Sequence, residues 1–171
     1  MKQSRIITLG ALLVACSQQM PLHGNFFVGI KNLLVGNNFH TLQAGQAYRS
    51  ATMGSKSLSR AIRKHGIKTV VNLRGIHTNQ RWWRTEAAVL KRLGVTFYNL
   101  PFSAQTLPSK ENMQALLTIF ERAPRPILIH CQAGADRTSM ASAFWQITQQ
   151  GFSPQKALAQ LSDSYGHFSS R

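Results

Sequence analysis

Along this chain, short apolar runs alternate with segments whose apolar residues recur every three or four positions. Lys68–Leu73 (KTVVNL) is rich in β-branched residues and apolar through its centre, the pattern of a buried strand. Val95–Leu100 and Pro126–His130 (PILIH) read the same way. Between these runs, Ser57–His65 predicts a basic amphipathic helix stopped by Gly66, a position suited to a left-handed cap. Gln80–Leu93 predicts a second helix, with Trp83, Ala87, Leu90 and Leu93 on one face and Gly94 after it. Ser109–Arg122 turns Met113, Leu116, Leu117 and Phe120 inward, and Thr138–Gln149 ends at Gly151. Ser153-Pro154 opens a last helix with proline at its first position. Upstream, Asn37–Leu42 and Gln46–Arg49 read as two short strands around a Gln43-Ala44-Gly45 turn. The alternation predicts a single α/β domain: a mostly parallel central sheet of four to five strands, flanked by helices.

The N-terminus follows another logic. Lys2 and Arg5 precede an apolar run, Ile6–Ala15, and then Cys16. The run is too short to span a bilayer and reads as a secretory signal. Leu13-Val14-Ala15-Cys16 resembles the box of a bacterial lipoprotein signal, and that resemblance implies lipidation of Cys16. An ordinary signal peptide, or a first strand that holds a cysteine, is the other reading. The expected organisation is a signal over 1–16, a tether over 17–36 and the folded domain over 37–171. The chain would then sit lipid-anchored at a bacterial cell envelope, facing the periplasm in a Gram-negative cell.

Composition narrows the chemistry. The 171 residues suit one domain, and 43% of them are hydrophobic, enough for a core. Twenty Lys and Arg against five Asp and Glu give +15, which favours anionic partners. The acids are Glu86, Glu111, Glu121, Asp136 and Asp163, too few and too scattered for paired-carboxylate hydrolysis or a hard-metal site. Cys16 and Cys131 exclude a disulfide scaffold and a cysteine-rich zinc site. His23, His40, His65, His77 and His167 lack ligand spacing, so neither metal nor cofactor is expected. Trp82 and Trp83 lie between Arg81 and Arg84; Trp83 is expected in the core and Trp82 partly exposed, with no nucleic-acid role. Arg60, Arg63, Lys64 and Lys68 form a basic cluster, either a solvated face or an attractor of anionic headgroups.

The chemistry-bearing segment is His130-Cys131-Gln132-Ala133-Gly134-Ala135-Asp136-Arg137-Thr138. A strand end, a glycine-containing turn and a helix start make an anion cradle of backbone N–H groups. Helix N-termini and nearby cations lower cysteine pKa values to about 3.5–7.5, which suits Cys131 as a nucleophile. Arg137, six residues on, can present two parallel donors to phosphate oxygens.

H-C-x-x-G-x-x-R-T resembles the signature of the cysteine-based protein tyrosine phosphatase superfamily. From about Asn38 to Gln150, with Tyr48-Arg49-Ser50-Ala51 and Gly66–Arg74 (GIKTVVNLR), the chain is similar to the small atypical dual-specificity branch, and its AGADRT to bacterial members. The resemblance implies attack by Cys131 on phosphorus, with Arg137 and the loop from Gln132 through Ala133, Gly134, Ala135 and Asp136 holding the phosphoryl oxygens. It implies that His130 orients the loop and supports the sulfur, and that Thr138 donates its hydroxyl to that sulfur. Many relatives carry an aspartate after the second strand, but Pro101–Pro108 holds no acid. Asp136 is therefore the candidate leaving-group acid, unless it shapes the pocket while water supplies the proton. Ser139 stands where relatives usually carry glycine. Arg74 either lines the pocket mouth or pairs with Glu86. Expected substrates are phosphoproteins, with inositol phosphates or phosphoinositides as the alternative and phosphate capture without turnover as a third reading. A monomer is expected.

Overall fold

The computed structural model describes residues 36–166. The signal, Cys16 and nearly all of the tether lie outside them.

Five strands form one sheet in the order β1-β2-β5-β3-β4. They are β1 (His40–Gln43), β2 (Ala47–Ala51), β3 (Thr69–Asn72), β4 (Thr96–Asn99) and β5 (Ile127–Cys131). β1 runs antiparallel on β2; every other pairing is parallel, with β5 between β2 and β3. Four helices cover the faces: α1 (Ser55–His65), α2 (Arg81–Leu93), α3 (Lys110–Arg122) and α4 (Asp136–Gln150). A short α5 (Pro154–Ala157) and 3-10 turns follow.

The period of two along β5 divides the core. Ile127, Ile129 and Cys131 face α3 and α4, in one apolar cluster with Leu116, Phe120, Phe144 and Trp145. Leu128 faces α1 and α2, in a second cluster with Leu58, Ile62, Val89 and Leu90. Helix α4 is buried on nearly every side, from Thr138 to Trp145, so its sequence shows little amphipathic pattern. Gly66, Gly94 and Gly151 each end a helix with positive φ, as expected.

Some expectations shift. The first strand begins only at His40, because Asn37 and Asn38 adopt left-handed φ of 67° and 49° in a tight turn. The last helix opens at Pro154 after its Ser153 cap, as expected, and runs four residues to Ala157. Trp83 is only half-buried: its indole N–H donates to Asn99 Oδ1 at 3.0 Å, which holds it at the sheet edge. The inward positions of α2 are Val89, Leu90 and the carboxylate of Glu86.

Candidate active site

β2, β3 and β5 run parallel, so their carboxyl ends meet at one sheet edge, where open α/β sheets usually place ligands. Cys131 is the last residue of β5, 2% exposed and unpaired. The loop after it is held from outside. Thr52 Oγ1 donates to the Cys131 carbonyl at 2.9 Å, and Thr52 N to the Gln132 carbonyl at 3.2 Å. Asn38 Nδ2 donates to the Ala133 carbonyl at 3.1 Å, and Arg49 Nη2 to the Gly134 carbonyl at 2.7 Å. Four successive carbonyls are thus turned outward. Across a trans peptide the C=O and the next N–H point in opposite directions, so the amides from Gln132 to Ala135 are directed inward. The first turn of α4 adds its own amides: its cap residue Ala135 supplies no side-chain acceptor. The loop is a concave donor site for an anion.

Gly134 makes this turn possible. Its φ is +69°, and a Cβ there would lie 2.6 Å from Ala51 N and 2.7 Å from the Ser50 carbonyl carbon. These are backbone atoms of β2 and cannot move aside.

Arg49, 1% exposed, is the strut on the other side of the loop. It also donates to Ser139 Oγ at 2.8 Å and Gln160 Oε1 at 2.6 Å, and stacks on Tyr165 at 3.9 Å. Burial pulls its pKa down to about 10, opposed by Tyr165 and Cys131. Ser139, the departure from the usual glycine, is therefore an acceptor for the strut. Asn38 also donates to the Tyr165 carbonyl at 2.9 Å, so the segment after α5 is fastened to the loop.

His130, beside the nucleophile, points to the opposite face of the sheet. Its Nε2 lies 2.7 Å from Glu86 Oε1, an ion-pair contact without hydrogen-bond alignment, while Glu86 Oε2 has no partner. Its Nδ1 lies 3.3 Å from the Cys131 carbonyl oxygen. Glu86 is thus occupied by His130 and does not hydrogen-bond to Arg74. Arg74 instead stands at the mouth: Nη1 donates to Thr52 Oγ1 at 3.2 Å, and its guanidinium lies 3.5 Å from the Trp82 ring centroid. Its pKa is lowered by burial first and by Arg137 second, with Cys131 and Glu86 opposing. Two guanidiniums crowding one mouth favour an anion between them.

Arg137 is half-buried, and Nη1 reaches the Phe102 carbonyl at 3.4 Å. Asp136, also half-buried, opens α4. Thr138 Oγ1 is buried and makes no hydrogen bond among the described residues, so the expected bond to the Cys131 sulfur is not formed here. Pro101–Pro108 crosses beside Arg74 through a bridge to Pro101 and brings no carboxylate. Among the described residues, no group of three or more His, Cys, Asp or Glu could hold a metal, and no helix is long and apolar enough to cross a membrane.

Known proteins resemble the chain in sequence and fold. Residues 37–170 match the family described as DSP-PTPase phosphatase fused to NAD+ kinase. Over 116 residues the chain is 30% identical to the dual specificity protein phosphatase TpbA of Pseudomonas aeruginosa; this covers 67% of the chain and 49% of TpbA. The chain thus spans about half the length of the curated relatives it matches. The crystal structure of a cysteine-to-serine variant of P. aeruginosa TpbA in complex with phosphotyrosine is similar at a TM-score of 0.59 and 28% identity, over 76% of this chain and 75% of that one. The catalytic core of the PP-IP phosphatase SIW14 from S. cerevisiae shares the fold, at a TM-score of 0.61 and 22% identity, over 75% and 76% of the two chains. With the motif at the carboxyl end of β5 and the family match across the whole described domain, the chain belongs to the DSP-PTPase phosphatases, an atypical dual-specificity branch of the cysteine-based protein tyrosine phosphatase superfamily.

Proposed function

We propose that the chain hydrolyses phosphate monoesters through a phosphocysteine on Cys131. The observation that carries this reading is the outward fastening of the carbonyls from Cys131 to Gly134, which leaves a donor cradle around the sulfur. The Cys131 sulfur attacks phosphorus in line. The S–P bond forms as the P–O ester bond breaks, and the departing oxygen takes a proton from Asp136. Inward amides and Arg137 hold the equatorial oxygens, whose charge is spread in the transition state. Water then attacks phosphorus, returning a proton to Asp136 as the S–P bond breaks, and phosphate leaves. Thr138, with its buried hydroxyl uncommitted, donates to the sulfur as it departs. His130 and Glu86 brace the strand end.

The substrates proposed are phosphoproteins bearing phosphotyrosine, phosphoserine or phosphothreonine; the phosphotyrosine complex of TpbA supports this class. Inositol phosphates or phosphoinositides are the second reading, favoured by the net charge of +15. The test is phosphate release by the purified chain in reductant, without added metal, from an aryl phosphate, phosphopeptides, inositol hexakisphosphate and a phosphoinositide. Turnover lost in Cys131→Ser supports the mechanism, and the preferred substrate decides the class. Phosphate binding without turnover would make the chain a capture module instead.

The proposal also places a monomeric enzyme at a bacterial cell envelope, anchored through Cys16. The basic start, the Ile6–Ala15 run and the L-V-A-C sequence support it. Incorporation of labelled fatty acid that vanishes in Cys16→Ser is the expected result, and unlabelled wild-type chain would refute the anchor.

A further inference from the structure

Away from Cys131, a groove of about 710 Å³ lies along α1 and the last turn of α2. Lys56, Arg60, Arg63, Lys64 and Arg92 line it, together with Ser55 and Ser59. The volume is that of a small-molecule site, but the lining is not apolar as such sites usually are. No acid lines it, and none of the five cations has a hydrogen-bond or ion-pair partner among the described residues. Five neighbouring uncompensated cations repel one another, so the groove stores a demand for negative charge.

Two further observations mark it as a site rather than a solvated face. Ser59, only 8% exposed, is a nearly buried polar residue that lines the groove. At the Ser55 end, α1 begins at Gly54 without a side-chain cap and with no acid in its first turn, so its amides are open to an anion. The lining residues of α1 extend from Ser55 to Lys64, about 14 Å at the helical rise. A single phosphate cannot meet cations spread over that length. A compact ligand with several phosphate groups can.

We propose that this groove binds clustered phosphomonoesters, as carried by a free inositol polyphosphate or by a phosphoinositide headgroup. It is a second anion site, not the Cys131 loop. Ser55 follows Thr52 by three residues, a reach of at most about 11 Å, and Thr52 is bonded to the loop. The Ser55 end of the groove therefore lies towards the active-site loop. Binding in the groove stands on its own and does not rest on the phosphatase reading.

The test compares Arg60→Gln/Arg63→Gln/Arg92→Gln with Lys110→Gln/Arg122→Gln/Lys156→Gln, which removes the same charge elsewhere. Both are made in the full chain carrying Cys131→Ser, and both should keep its melting temperature because the substituted residues are exposed. Calorimetric titration with inositol hexakisphosphate at physiological salt should show affinity at least tenfold weaker for the groove variant than for the control. Sedimentation with phosphatidylcholine vesicles, with and without phosphatidylinositol bisphosphate, runs in parallel. Vesicle retention without affinity for the free ligand assigns a membrane source, and the reverse a soluble one. Equal binding by the groove variant and the control in both arms overturns the proposal. In the Cys131 background, aryl phosphate turnover should be unchanged by the groove substitutions; absence of that turnover in the wild type would instead refute the phosphatase reading and leave the binding result intact.

Discussion

Arg49 on β2 donates to the carbonyl of Gly134, 85 residues away, at 2.7 Å, and so clamps the turn that shapes the anion cradle. The same guanidinium reaches Ser139 and Gln160, which joins the loop, α4 and the C-terminal segment through one side chain.

Arg49→Met should therefore leave three buried acceptors unsatisfied and cost about 3 kcal/mol or more. Arg49→Lys keeps the charge but loses the fork, and should recover only part of that loss. Chemical denaturation of both variants checks this; a cost below about 1 kcal/mol for the methionine would contradict the clamp.

Gly134→Ala tests the close approach of loop and strand. The added Cβ meets the backbone of Ser50 and Ala51 at 2.6–2.8 Å, and the residue must hold φ at +69°. Turnover should fall by about 10²-fold, because a displaced cradle no longer matches the reacting phosphoryl group. Near-normal turnover would show that the loop has another route round the turn.

Glu86 and His130 form a buried pair, each 2% exposed at the side chain. Removing one partner by Glu86→Ala should cost about 3 kcal/mol, since the other is left without its partner in a dry site. Replacing both, as Glu86→Leu with His130→Phe, should restore much of that stability. Additive losses in the double variant would mean that the two do not act as a pair.

Asp136 is tested by its leaving group. Asp136→Asn should slow hydrolysis of an alkyl phosphate by about 10²-fold or more, while an aryl phosphate with an acidic phenol, which needs no proton, should be barely affected. Equal slowing of both substrates would make Asp136 a shaping residue.

His40 sets a pH dependence. Its pKa lies below the usual 6.5, through burial first and the charge of Arg49 second. Below 6.5 the unfolded chain binds a proton there more readily than the folded one. The associated stability is therefore whole above 6.5 and is lost as pH falls through the lower folded value. His40→Gln should flatten the decline in melting temperature between about pH 7 and pH 5; parallel curves for the two proteins would exclude His40 as the source.

The sequence discloses what is contiguous. Cys131, Arg137 and the glycine turn fall within nine residues, and the alternation of strands and helices gives the sheet and its flanking layers. The supports of the loop were hidden because folding assembles them over long separations. Asn38 and Ala133 are 95 positions apart, and Arg49 and Gln160 are 111 apart. Arg49 could be read only as part of a family-like segment, since an arginine inside a short apolar strand does not announce three acceptors. Glu86 carried one faint signal: it shares a helical face with Val89 and Leu90, where an acid must find a partner. The half-buried setting of Trp83 was missed because periodicity marks a face but not where its indole N–H will find an acceptor.

Parallel pairing also sorts the connections by risk. Segments that leave β2, β3 and β5 build the cradle and its mouth, whereas those that enter β2, β3 and β4 turn at the far edge, at Gly45, Gly66 and Gly94. Those three glycines are exposed and have open space around them. A reporter or peptide tag spliced after Gly45 would thus be separated from Cys131 by the full length of the sheet, while the same insertion after Thr52 would break the loop open.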